Sequence, residues 1–329
     1  MTTLPLEANT RHVLAIDIGG TKLAAGIVTA TGQLLDSARI PTQVEQGPDR
    51  IIERVLHLSR MLLGRSRAHI ERVGVGCGGP LDTKRGLIQN PPNLPGWIDY
   101  PLVQNLHDGL GLPVALENDA NAAALAEYHF GAGRGTQHMV YLTISTGIGG
   151  GLILDGKLYR GKHGNAGELG HLQVRYDGPS CNCGGCGCLE GYASGTNIAR
   201  RAREAAADHP ESLLARLTPS LSDITAQTVL TALEANDPVA TALWDETLDM
   251  LAAGVASVVH AFDTERVVIG GGITNFGDRL FVPLRDRVAR RSMPSLAEGV
   301  EICPAAFAEN VGILGAAAVA LREPLEVSL

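Results

Sequence analysis

One short pattern, met twice, constrains this chain more than any other. Val13–Ile18 is an apolar run that stops at Gly19-Gly20 and resumes over Lys22–Val28. Met139–Ile144 is a second such run, followed by a glycine turn at Thr146–Gly151 and then by Leu152–Leu154. Short apolar runs broken by paired glycines read as strand, tight turn and strand. The two units lie about 130 residues apart, which points to an internal duplication, with two unrelated hairpins as the alternative.

The rest of the chain alternates strands and helices. Leu34–Ile40 follows the turn at Gly32 as a further strand, and Arg72–Cys77, Val114–Leu116 and Arg266–Ile269 read as strands too. Apolar residues at 51, 52, 55, 58, 61 and 62 have helical spacing, so Pro48–Leu63 is predicted helical. Helices are also expected at Leu102–Leu110, Asn121–Phe130, Gly195–Ala207, Ala226–Ala235, Pro238–Phe262, Asp278–Arg290 and Asn310–Leu321. This order is α/β throughout and holds no Ser/Pro-rich linker. Two intimately packed domains are expected rather than two separate beads.

Composition narrows the class. The 329 residues are 45% hydrophobic and 19% charged, with mean hydropathy +0.08, enough apolar material for a sizeable core and too much for a disordered chain. Net charge is −8 and no arm is strongly basic, so nucleic acid is a poor partner. The 40 glycines fall in clusters without a period, which excludes a fibrous chain. No stretch approaches the roughly 18 apolar residues of a membrane span. Ile313–Leu321 is too short and Leu251–Phe262 carries His260. Met1–His12 lacks the apolar centre of a signal peptide. A cytoplasmic enzyme is expected, with no membrane or nucleic-acid partner.

Several clusters carry chemistry. Asp17-Ile-Gly-Gly-Thr-Lys22 sets a carboxylate at a strand end, then two glycines, a hydroxyl and an ammonium. Glycine lets backbone N–H groups approach a phosphate, Lys22 adds charge, and Asp17 could hold Mg²⁺. Read alone, the segment is as well explained by a hairpin turn. Thr146–Gly151 repeats the logic, and two such loops could clamp a polyphosphate between domains. Gly270-Gly271-Gly272 is a third close-approach site, suited to an adenosine. Glu117-Asn118-Asp119 follows a strand and opens a helix. A helix cap needs one such residue, not three. Asp119 could accept a proton from a hydroxyl nucleophile that Asn118 orients.

Cys181, Cys183, Cys186 and Cys188 crowd into eight residues, which suits a tetrahedral metal better than disulfides. Spacing alone leaves the fourth ligand open, since His171 could replace one cysteine. Cys77 and Cys303 lie in apolar segments and read as inert core thiols.

At this point the residues resemble a family. DIGGTK at 17–22, ENDANA at 117–122, the stretch Thr146–His171 and C-x-C-G-x-x-G-C-x-E at 181–190 are similar, in this order, to sugar kinases of the ROK family, which have the duplicated actin-like ATPase (hexokinase/ribonuclease H-like) fold with two domains around a cleft. The resemblance spans about Val13 to Leu321. It implies a small N-terminal domain over 1–120, joined by a C-terminal helix at 310–329, and a large domain over 121–309 with a zinc loop at 171–190.

It also implies roles. Asp119 corresponds to the catalytic base. Gly79, Asn93, Asn118, Glu168, His171 and Glu190 correspond to sugar contacts. Asp17, Gly19, Gly20, Thr21, Lys22, Thr146, Gly147, Gly271 and Gly272 correspond to the nucleotide site for ATP and Mg²⁺. His171, Cys181, Cys183 and Cys188 match ligands of a structural Zn²⁺, which leaves Cys186 spare. The expected reaction is phosphorylation of a hexose at its 6-hydroxyl, with homodimers or homotetramers as the expected assembly. Repressors of the family carry a winged helix-turn-helix before the DxGGT segment. Only 16 residues precede Asp17, so a kinase is expected, with a non-catalytic sugar sensor as a distant alternative. Glucose is the expected sugar. The Asn90–Trp97 loop, with three prolines and a tryptophan, reads as too stiff to open room for an N-acetyl group, and Leu189–Thr196 resembles the family's glucokinases more than its N-acetylmannosamine kinases. N-acetylmannosamine and N-acetylglucosamine are the alternative substrates.

Overall fold

A computed structural model describes residues 11–322 of the chain. The first apolar runs become β1 (His12–Ile18), β2 (Lys22–Thr29) and β3 (Leu34–Pro41), an antiparallel meander. β1 and β2 are buried along almost their whole length, as strands covered on both faces must be, whereas β3 alternates exposed and half-buried residues as an edge strand does. The chain continues through α1 (Pro48–Arg65), β4 (Ile70–Cys77), the small hairpin β5 (Leu81–Asp82) and β6 (Leu87–Ile88), α2 (Leu102–Leu110), β7 (Val114–Asn118) and α3 (Asp119–Phe130). β4 pairs in parallel with β1 and β7 with β4, so the sheet order is β3-β2-β1-β4-β7.

The second half begins with β8 (Met139–Ile144), β9 (Ile148–Leu154) and β10 (Lys157–Leu158), again an antiparallel meander. α4 (Glu190–Ala193), α5 (Gly195–Asp208), α6 (Leu213–Arg216), α7 (Ala226–Glu234) and α8 (Pro238–Phe262) follow. Asp237 starts α8 by accepting the Ala240 N–H at 2.8 Å, with Pro238 at the first helical position, where a missing N–H costs nothing. Then come β11 (Arg266–Gly270), α9 (Asp278–Arg291), α10 (Pro294–Ala297), β12 (Glu301–Pro304) and α11 (Val311–Arg322). The second sheet has the order β10-β9-β8-β11-β12, with β11 and β12 parallel to β8. Strand for strand this repeats the first sheet in order and sense. The duplication is therefore real, and the alternative of two unrelated hairpins falls.

Two compact units result. Unit 1 runs to Arg134 and takes back Arg160–Ala166 and the chain from Phe307; unit 2 holds Gly135–Tyr159 and Gly167–Ala306. The compact boundary thus falls after Arg134, not after residue 120. α3 is continuous with β7 and packs on α11, so it stays with unit 1. α11 lies against β1, β4 and α3. The part of the expected C-terminal helix beyond Arg322 lies outside the described residues.

Two local expectations are corrected. Gly149–Gly151 is not a turn but part of β9. A side chain at Gly150 would meet the Gly167 carbonyl at 2.6 Å, so glycine there serves a close chain crossing. β5, β6, β10 and β12 were not anticipated, because two to four residues are too few to show a period. Among the described residues, no helix is long and apolar enough to cross a membrane.

Candidate functional site

In unit 1, β1 ends at Asp17-Ile18 and turns into β2. The turn closes by the Gly19 N–H donating to the Lys22 carbonyl at 3.1 Å. Thr42, fully buried, braces it: its hydroxyl donates to Gly19 O at 2.6 Å and its N–H to Thr21 O at 3.0 Å. The segment is thus a hairpin turn, with the side chains of Thr21 and Lys22 exposed. Gly20 lies against the Asn93 carbonyl, so the turn and the Asn90–Trp97 loop meet. The Asp17 carboxylate packs on Gly312 at the start of α11. Burial, and then the charge of Asp119, push its pKa up to about 6, against the pull of Lys22 and Arg39. Trp97 is fully buried in the unit 1 core and stacks at a tilt on Tyr100, so it shapes its loop from beneath.

Asn118 and Asp119 stand where β7 passes into α3. Asn118 caps the helix, its Oδ1 accepting the N–H groups of Ala120 at 2.9 Å and Asn121 at 3.2 Å. Its amide Nδ2 is left to donate elsewhere and lies beside Gly79. Asp119 accepts the Ala120 N–H through Oδ1 at 2.8 Å, and Oδ2 points past Gly78. Asp119 is open to solvent yet set deep among protein atoms, and the loss of surrounding water raises its pKa. Glu117, 1% exposed, accepts the Asn118 N–H at 2.9 Å, Asn121 Nδ2 at 3.0 Å and Arg160 Nε at 2.7 Å. Sequence reasoning weighed Glu117 only as one of three polar neighbours. A carboxylate closing an apolar strand was the signal that it needs a cation, but nothing local names Arg160.

In unit 2, Thr146 and Gly147 turn β8 into β9. Glu190 grips this turn, its Oε2 accepting the Ile148 N–H at 2.7 Å. From the other side the Gly195 N–H donates to Ser145 O at 2.7 Å. Gly271 (φ 84°) sits so close to the Ile144 carbonyl that no side chain fits, in a conformation that favours glycine. A cavity of about 430 Å³ opens here. Its apolar lining includes Ile198, Ile273 and Phe276, its polar lining Gln227 and Asn275, and Thr146 and Gly272 line it as well. The second glycine turn and the Gly270–Gly272 segment therefore share one pocket. Gln227 and Asn275 were missed, because no local motif links positions so far apart.

Glu168, exposed, precedes the short turn Leu169–His171. The His171 Nδ1 lies 3.5 Å from Cys181 Sγ, and Cys183 Sγ lies 3.6 Å from Cys188 Sγ. All four ligand atoms fall within 4.8 Å of one another. A tetrahedral zinc site has ligand-to-ligand edges of about 3.5–3.8 Å, so these donors fit that ion. Disulfide bonding, at about 2.05 Å, is excluded, and all six cysteines are free. Burial and the neighbouring thiols push Cys188 up to about 12, which a cation would reverse. Cys186 stays outside the set, its thiol donating to Tyr176 O at 3.4 Å.

Known proteins supply the context. The family model described as "ROK family" matches residues 13–323. A glucokinase of Thermotoga maritima is 40% identical over 307 residues, 93% of this chain and 96% of the relative. An N-acetylmannosamine kinase of Escherichia coli is 35% identical over 312 residues, 95% of this chain and 99% of the relative. The crystal structure of a ROK family glucokinase from Streptomyces griseus, in complex with glucose and AMPPNP, superposes with TM-score 0.77 at 34% identity, covering 94% of this chain and 99% of that one.

Proposed function

The chain belongs to the ROK family, and on that premise we propose that it is an ATP-dependent sugar kinase acting on glucose at the 6-hydroxyl. The observation that carries the reading is Asp119, a carboxylate of raised pKa beside an outward-facing Asn118 amide at the β7–α3 junction. A base works best with a pKa nearer the working pH, and the setting of Asp119 moves it that way. Asn118 Nδ2 and Gly79 supply neighbouring polar contacts for the sugar.

In the reaction, Asp119 takes the proton of the primary hydroxyl as its oxygen attacks the γ-phosphorus. The bond to the β,γ-bridging oxygen breaks, and ADP leaves with that electron pair. Phosphoryl transfer leaves little covalent work to the protein, so positioning and charge dominate. The turns at Gly19–Lys22 and Thr146–Gly147 offer backbone N–H groups to the phosphates, and the pocket behind Gly271-Gly272 takes the adenosine. Asp17 would hold Mg²⁺, which when bound neutralises phosphate charge. Glu190 keeps Ile148 in place through Oε2 and has Oε1 left for a sugar hydroxyl. His171 turns Nδ1 to Cys181, which leaves Nε2 to meet the sugar together with Glu168. Zn²⁺, held by His171, Cys181, Cys183 and Cys188, would be structural and would stiffen the loop that ends in Glu190.

A second reading, an N-acetylhexosamine kinase, is favoured by the Escherichia coli relative. The buried Trp97 weighs for glucose, because it pins the proline-rich loop to the core from beneath. A coupled ADP-release assay over glucose, N-acetylmannosamine, N-acetylglucosamine and fructose tests both. We expect kcat/KM for glucose at least about tenfold above the others, about 1.4 kcal/mol in transition-state binding. A best rate on an N-acetylhexosamine overturns the choice of sugar, and no turnover of any hexose overturns the kinase.

A further inference from the structure

Unit 1 holds a cavity of its own, of about 440 Å³, that meets the residues described above only at Arg160, the partner of Glu117. One wall is the β5–β6 hairpin with Asp82, Lys84 and Gln89; the other is the returning segment with Arg160, Lys162 and His163. Both walls are built. The hairpin is fixed by the Gln89 N–H on Pro80 O at 2.9 Å and by the Val103 N–H on Gly86 O at 3.2 Å. The segment is fixed by the ion pair of Arg160 with the buried Glu117, and its loop is closed by the Ala166 N–H on Arg160 O at 3.0 Å.

Charge decides what such a cavity takes. Glu117 balances Arg160, and Asp82 is engaged by Arg85, through its N–H at 3.0 Å and its guanidinium at 3.9 Å. Lys84 and Lys162 are left over, exposed and in no ion pair among the described residues. Lysine is scarce in this chain. Of 27 basic residues only Lys22, Lys84, Lys157 and Lys162 are lysine, while arginine makes the structural ion pairs. An acidic protein of net charge −8 thus keeps two unpaired ammonium groups on one polar cavity. Two point charges suit a phosphate dianion, and Gln89 and His163 add further hydrogen-bonding groups for the body that carries it. The volume lies within the usual range of small-molecule sites, about 300–1,000 Å³.

We infer that this cavity binds the phosphate group of a small phosphorylated molecule, apart from the catalytic groups. Free phosphate and a sugar phosphate share that chemistry, and the test separates them. The full-length protein is titrated calorimetrically with glucose 6-phosphate and, separately, with inorganic phosphate, in saturating glucose and AMPPNP. The expected result is one site per chain, weakened at least tenfold in Lys84→Met/Lys162→Met and unchanged in Asp119→Asn. Tighter binding of glucose 6-phosphate supports a phosphate monoester as the ligand; equal binding supports free phosphate in the same cavity. The double variant should keep the parent's thermal midpoint and hexose turnover, because both lysines are exposed and neither belongs to the kinase machinery. Affinity within twofold of the parent in that variant overturns the site, as does the absence of binding once glucose and AMPPNP are present. The titration reads binding alone, so it stands whether or not the chain turns over glucose.

Discussion

Replacing Asp17 with Asn should make the ligand-free protein more stable and the enzyme inactive. In the fold, burial and the charge of Asp119 hold the Asp17 pKa near 6, against an ordinary 3.8. The fold therefore disfavours the ionised form. Below pH 3.8 the group is protonated in both states and adds no penalty; the penalty grows between 3.8 and 6 and is complete above 6. At 1.36 kcal/mol per pH unit, it reaches about 3 kcal/mol at pH 8 and about 1.6 kcal/mol at pH 5. Asn has the same shape and no charge, so Asp17→Asn should gain up to about 3 kcal/mol at pH 8, a rise in Tm of roughly 6–12 °C for a unit of this size. Thermal unfolding of both proteins in a chelator, at pH 8, 5 and 4, reads the gain directly. Activity should fall at the same time, because the reading gives Asp17 the cation that accompanies ATP. A gain that does not shrink from pH 8 to pH 4, or no gain at pH 8, refutes the reasoning.

Asp119→Asn should keep sugar affinity and lose on the order of 10²–10⁴ in kcat, read as turnover at saturating ATP and sugar; turnover within threefold of the parent counts against the base. The same change removes the charge facing Asp17, so the Asp17 pKa should move down, a shift measurable by NMR titration. Cys183→Ser should lower zinc content and sugar affinity together, since the loop that holds the ligands ends in Glu190; elemental analysis of freshly purified protein gives the first and a binding titration the second. Arg160→Met should cost about 3 kcal/mol in a denaturation curve, because it leaves the Glu117 carboxylate buried without its cation, and Glu117→Gln added to it should recover part of the loss.

Local chemistry was legible in the sequence. The strand–turn–strand units show because strands and glycine turns are written within a few residues. The cysteine cluster shows because its thiols sit within eight residues, and Asn118-Asp119 because a strand end and a helix start adjoin there. Spacing left His171 one of two alternatives and the family resemblance chose it; in the structure its Nδ1 lies 3.5 Å from Cys181 Sγ. What tertiary structure decided is whatever joins distant positions: Arg160 to Glu117, Gly312 to Asp17, and Gln227 and Asn275 to the pocket at Thr146. It also made Gly149–Gly151 part of a strand paired with β8, where the close passage of Gly167 calls for glycine at Gly150. A local motif repeats in sequence what it does in space, so its spacing can be read. A buried ion pair or a close crossing depends on which surfaces meet after the chain has folded, and neither partner carries a periodic or neighbouring mark of the other.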